Sequence, residues 1–233
     1  MRNKTSKFFI SVLYPVIFVM ILWGIKLFEI ADNTDLSWYG LYPRTIHGLL
    51  GILTAPLLHA NFEHLISNTL PLLILGSIIF FFYRSIAFQV FFWVYLMTGL
   101  WVWAAARDAY HIGASGLIYG FVTFLFFSGI FRRDTRLMAL SLFVVFLYGG
   151  TVWGIFPIQK GVSWESHMLG SLAGLITAFY FRKEGPLPRK YDFGDEEEEE
   201  DIDYSESIEN VENSESDISI NYNFIPKEDE TKN

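Results

Sequence analysis

Four polar side chains stand out in a largely apolar chain because their types and spacing suit acyl transfer. His64 and Asn68 are four residues apart in HLISN, which puts both on one face of a helix. Ser115 lies in GASGLIYG between Gly113 and Gly116, with Tyr119 one turn further on. His167 opens HMLGSLAG, where Gly170 and Gly174 follow on the same face as a GxxxG pattern that lets a second helix come close. Each group alone has a plainer reading: a pair of interhelical hydrogen bonders, a helix cap, a packing stripe. Together they supply the parts of a nucleophilic reaction. A serine needs a base to become a nucleophile, and a histidine can take its proton and return it to the leaving amine. The Asn68 amide, the His64 ring and the Ser115 backbone N–H could then hold the oxyanion, and the flanking glycines leave the hydroxyl accessible. Glu63, Asp108 and Glu165 have no motif that assigns them the role of orienting the histidine. A Ser-His dyad, with Tyr119 stacking on or steering the His167 ring, is the simpler arrangement.

These residues must be positioned by apolar elements. Of the 233 residues 52% are hydrophobic, with 23 Phe, 12 Tyr and 7 Trp, which excludes an ordinary water-soluble globule. Runs of about 18 or more apolar residues read as membrane spans. Six are expected, near residues 8–28, 62–82, 86–106, 115–131, 137–156 and 166–181, so the fold class is an all-α, polytopic six-transmembrane-helix bundle. The first run is too long for a signal peptide and lacks a small-residue cleavage site after it, so it reads as a retained anchor. The stretch from Ile30 to Asn61 holds a shorter apolar run, GLLGILTAPLL, and Trp38, Tyr39 and Tyr42 suit the outer headgroup boundary. With no cysteine, disulfides, thiolate metal sites and cysteine nucleophiles are excluded.

The formal charge of −8 divides unevenly. Residues 1–183 carry 13 Lys or Arg against 7 Asp or Glu, a net +6; residues 184–233 carry 4 against 18, a net −14. The expected domains are therefore a six-span membrane body, 1–183, and an acidic disordered tail, 184–233. With alternating spans, Arg2, Lys4, Lys7, Arg84, Arg132, Arg133, Arg136, Arg182 and Lys183 share one side, so both termini are expected in the cytoplasm. His64, Asn68, Ser115 and His167 then all fall at the outer ends of spans two, four and six.

At these residues the sequence resembles the rhomboid family of intramembrane serine proteases. The family pairs H-x-x-x-N on the second span with G-x-S-x on the fourth and H-x-x-G-x-x-x-G on the sixth; all three occur here in order. His59 also sits where rhomboids commonly carry a histidine, and Gly76 matches a glycine further along that span. The resemblance implies Ser115 as nucleophile, His167 as general base and acid, Asn68, His64 and the Ser115 amide as the oxyanion site, and Tyr119 packed on His167. It also implies substrates that are single-pass membrane proteins, cut near the outer boundary, in a bacterial cytoplasmic membrane, with no metal or organic cofactor. One departure is the first outer loop, which reads Tyr42, Pro43, Arg44 where many members carry Trp-Arg. His47 and His111 match no motif.

Water must reach the serine, so the Ile30–Asn61 segment is expected to wall a polar cavity and the Pro157–Glu165 loop, with Gly161 as hinge, to cap it. Two other readings compete with the hydrolase. One is a catalytically silent rhomboid-like protein that binds membrane clients; the other is a membrane cytochrome with His64 and His167 as axial haem ligands. The tail carries no basic stripe, so nucleic acid is not an expected partner. The sequence leaves the oligomeric state open.

Overall fold

The computed structural model describes residues 4–147, 152–157 and 161–185. Its elements are α1 (Lys4–Ala31), α2 (Ile46–Thr54), α3 (Phe62–Phe82), α4 (Ala87–Ala105), α5 (Ser115–Arg132), α6 (Thr135–Leu147) and α7 (Trp164–Tyr180), with 3-10 turns at Leu36–Tyr39, Ala55–Leu57 and Val152–Ile155. The described residues form no strand, only an isolated antiparallel bridge between Leu41 and His111.

Four helices, α1, α3, α4 and α5, are long and apolar enough to cross a bilayer. Their outward faces carry exposed side chains such as Phe9, Met20, Ile66, Leu70, Phe92 and Leu100, as a lipid-facing surface requires. α7 has 17 residues and α6 has 13, which at 1.5 Å per residue is about 25 Å and about 20 Å. The fifth expected span, 137–156, is described in two parts. Its first part is α6, residues 148–151 lie outside the described residues, and Val152–Ile155 is a tight turn rather than the end of a membrane helix. The expected acidic tail lies outside the described residues beyond Gly185.

The core is built by apolar residues at helical spacing. Leu65, Leu72, Leu75 and Ile79 of α3 join Val90 and Val94 of α4 and Leu117, Phe121, Phe124 and Leu125 of α5 in one buried cluster. α7 packs against both α4 and α5. α1 lies along α3, where a side chain at Gly76 would press on the Pro15 ring. Two polar contacts fix that pairing: Trp23 donates its indole N–H to Thr69 Oγ1 at 3.0 Å, and Ser11 donates to the Phe80 carbonyl at 3.2 Å. In hydrocarbon such groups need an internal partner.

The Ile30–Asn61 segment folds against α4. α2 starts at a Thr45 cap that accepts the Gly48 N–H, and its nine residues are too few to span. Tyr95 donates to the Leu53 carbonyl at 2.5 Å and Trp103 to the Thr45 carbonyl at 2.8 Å. Arg44, at positive φ, donates to the Ala106 carbonyl at 2.7 Å and pairs with Asp108. The rings of Trp38, Tyr42, His47 and Tyr110 cluster beside it, a composition suited to the headgroup region.

Candidate active site

Ser115 is the first residue of α5 and His167 lies in the first turn of α7. What brings them together is a glycine zip. A Cβ on Gly170 would strike the Gly116 carbonyl oxygen, and one on Gly174 would strike the Gly120 carbonyl oxygen. In the other direction, Gly116 and Gly120 face the carbonyls of Ser166 and Gly170 at 3.0 Å from a built Cβ. With no side chains between them, the two backbones touch, and Ser115 Oγ comes to 2.7 Å from His167 Nε2.

The other nitrogen decides the direction of that bond. His167 Nδ1 is 2.8 Å from the Gly154 carbonyl oxygen, which can only accept. Nδ1 therefore carries a proton, Nε2 of the neutral ring offers its lone pair, and the Ser115 hydroxyl donates to it. The Tyr119 ring lies flat on the imidazole, 4.2 Å between centroids and 10° between planes. A side chain at Gly154 would meet both the Tyr119 hydroxyl and His167 Nδ1, the latter at 2.9 Å, so only glycine fits there.

His64 and Asn68 form a second group at the start of α3. Asn61 caps the helix by accepting the His64 N–H at 2.8 Å. Asn68 is 2% exposed and donates through Nδ2 to the His64 carbonyl at 2.6 Å, which leaves its second amide N–H for another acceptor. The His64 ring covers Gly113, where a Cβ would lie 2.5 Å from Cε1 and 2.7 Å from Nε2. Gly113 also has φ of +110°, so two independent constraints exclude a side chain two residues before the serine. The chain here is pinned on both sides: His111 exchanges backbone hydrogen bonds with Leu41, and Gly113 donates to the Ala55 carbonyl at 2.8 Å. The Ser115 and Gly116 N–H groups, at the first turn of α5, have no intrahelical acceptor. A cavity opens next to this turn, lined by Ile52, Pro56, Thr98, Gly113, Gly116 and Ser166 among others.

Part of the expected wall lies against the site, whereas the expected Pro157–Glu165 cap includes residues 158–160, which lie outside the described residues, and Gly161 has open space around it. Leu41 to Ala55 backs the serine segment, and the turn carrying Gly154 covers the histidine. Sequence reasoning missed three parts of the site. Gly154 acts through its carbonyl, which has no side-chain signature. Gly120 joins Gly116, already named beside the serine, as the matching half of the Gly170–Gly174 pattern, legible in GASGLIYG as a second GxxxG. His111, given no role, is buried and anchors α7: its Nε2–H donates to the Arg107 carbonyl at 3.1 Å, so Nδ1 accepts from Ser163 Oγ at 2.5 Å. Ser163 caps α7, accepting from the Ser166 N–H, and the Ser-x-x-Ser spacing ahead of that helix was the available signal. Burial pulls the His111 imidazole below its ordinary value and takes that of His59 down to about 3. Glu165, buried at the same helix start, lies 3.4 Å from Arg107 Nη1 rather than on His167 Nδ1. His47 is bound to the Trp38 carbonyl, away from the dyad.

Residues 47–184, more than half of the chain, match the family model of the Rhomboid domain. The chain belongs to the rhomboid family. An uncharacterized protein of Mycobacterium tuberculosis is similar, 36% identical over 175 residues that cover 70% of this chain and 71% of the relative. An uncharacterized protein of Mycobacterium leprae is 31% identical over 187 residues, 76% of this chain and 74% of its own. This rhomboid is thus an integral membrane protein, helical among the described residues, with α1 wholly ahead of the matched domain, α2 across its start and α3 to α7 within it.

Proposed function

We propose that this rhomboid is a serine endopeptidase that hydrolyses single-pass membrane proteins near the outer membrane boundary through a Ser115–His167 dyad. The observation that carries the reading is the pair of hydrogen bonds on His167, from Ser115 Oγ at 2.7 Å and to the Gly154 carbonyl at 2.8 Å. They set the tautomer a general base needs. As Oγ attacks the scissile carbonyl carbon, its proton passes to Nε2. The oxygen of that carbonyl takes the charge, stabilised by the Ser115 N–H, the free amide N–H of Asn68 and the His64 ring. Collapse breaks the C–N bond, and Nε2–H protonates the leaving amine. Water then attacks the acyl carbon and gives its proton to Nε2; the C–Oγ bond breaks, Nε2–H returns the proton to Oγ, and the carboxylic product leaves with the serine and neutral imidazole restored. The Gly154 carbonyl holds the ring in place throughout and accepts the Nδ1–H bond that strengthens when the ring is cationic.

The topology that suits this chemistry has six crossings, with α6 and α7 completing the set, both termini in the cytoplasm and the dyad towards the outside. A bacterial cytoplasmic membrane fits the mycobacterial relatives. The alternative, a silent member that binds membrane clients, draws on one observation: the Asn68 amide is partly committed to its own helix. A serine-directed fluorophosphonate separates the two. The purified wild type is expected to be labelled and Ser115→Ala not; an unlabelled, folded wild type would support the silent reading.

A further inference from the structure

Lys26 lies in α1, ahead of the matched domain, and is 9% exposed. A lysine charge in that setting is costly unless every N–H finds an acceptor. Here all three do: Glu29 Oε2 at 2.8 Å, the His59 carbonyl at 3.0 Å and the Ala60 carbonyl at 3.1 Å. The other Glu29 oxygen accepts the Leu36 N–H at 3.1 Å, so the carboxylate is itself held in place. Two successive carbonyls turned onto one ammonium fix the orientation of the peptide units of that turn, which an apolar contact would not do.

The turn they fix leads directly into the site. Asn61, the next residue, caps α3 through the His64 N–H. The His59 ring stands edge-on against the His64 ring, with centroids 5.1 Å apart. His59 is buried, and neither of its ring nitrogens finds a partner at hydrogen-bonding geometry among the described residues. Its ring is held by packing and by the nearby Leu57 backbone, and so by the chain that carries it. The His64 ring in turn covers Gly113 beside the serine.

We propose that Lys26, set by Glu29, is a positioning residue for the oxyanion half of the site: it fixes the His59–Ala60 turn and, through Asn61 and the His59 ring, the place of the His64 ring over Gly113. The proposal rests on the protease reading for its kinetic consequence and on the geometry alone for its structural one. Its test uses the full chain in lipid, comparing wild type with Lys26→Met/Glu29→Gln, which removes both charges together, and with Lys26→Arg. Turnover of a co-reconstituted single-span protein is normalised to fluorophosphonate-labelled sites, and the imidazole NMR signals of His64, assigned by their loss in His64→Gln, are followed in parallel. The double variant is expected to lose about tenfold to a hundredfold in kcat with KM little changed, as for a small misplacement of a catalytic group. Its His64 signals shift, and Lys26→Arg restores part of both. An unchanged kcat per labelled site with His64 signals in place, whatever happens to thermal stability, would overturn the proposal. Should the double variant not fold, Glu29→Gln, which leaves one oxygen to serve two donors, is expected to show a smaller loss of the same kind; no loss and no shift would equally overturn it. If wild type neither cleaves nor labels, the protease reading falls, and the His64 signals alone decide the positioning.

Discussion

Asn68 is where the residue-scale account is most exposed to measurement. One of its amide N–H bonds is spent on the His64 carbonyl, so a catalytic part has to come from the other. Asn68→Ala is expected to retain the fold and to lose roughly 100 to 1,000-fold in kcat, the usual cost of one oxyanion donor. Near-normal turnover would make Asn68 a packing residue. Ser115, His167, His64 and Asn68 were legible in the sequence because reactive side chains are rare in apolar helices and their spacing places them at helix ends. Gly154 was not, since its contribution is a backbone carbonyl and its own neighbourhood reads as apolar sequence. The same limit applied to His111 and Lys26. What singles each of them out is the distant group it reaches, Ser163 for His111 and the His59 and Ala60 carbonyls for Lys26.

Among the elements, the contact between α5 and α7 carries the site. Gly116, Gly120, Gly170 and Gly174 set the distance between the two helices, and that distance sets the Ser115–His167 bond. Gly170→Ala would drive a methyl group into the Gly116 carbonyl oxygen. It is expected to cost about 1–3 kcal/mol of stability, typical of overpacking, and to lower turnover even in the folded fraction. Thermal unfolding in detergent and turnover per labelled site check both parts. If turnover per site were unaffected, the zip would not be what aligns the dyad. Apolar length in the sequence marked α1, α3, α4 and α5, while the 137–156 run takes in both α6 and the turn at Val152–Ile155. Residues such as Gly154 and Ile155 sit in a run that is apolar because part of it covers the histidine, and hydropathy does not distinguish burial against protein from burial in lipid.

At the scale of the whole molecule, the buried histidines outside the membrane-spanning helices link stability to pH. His59 has a folded-state value of about 3, against about 6.5 when unfolded. Its neutral form therefore favours the fold, a contribution present in full above about pH 6.5 and lost as pH falls towards 3. His111, lowered by burial, acts in the same direction. The unfolding temperature in detergent is expected to drop between pH 7 and pH 5, and to drop less in His59→Gln; an equal drop in both would remove His59 from the account.

The net charge of −8 gives little guidance to function; the expectation that the proposed site faces outward rests instead on the basic residues that share one side of the alternating spans. Whether the Ser115–His167 pair cuts membrane proteins is decided by cleavage of a single-span protein co-reconstituted in lipid vesicles with the wild type or with Ser115→Ala. A product cut near the outer boundary is expected with the wild type and no product with Ser115→Ala. Equal cleavage by both, or none by a folded wild type across single-span proteins with helix-breaking residues near the boundary, would contradict the protease reading.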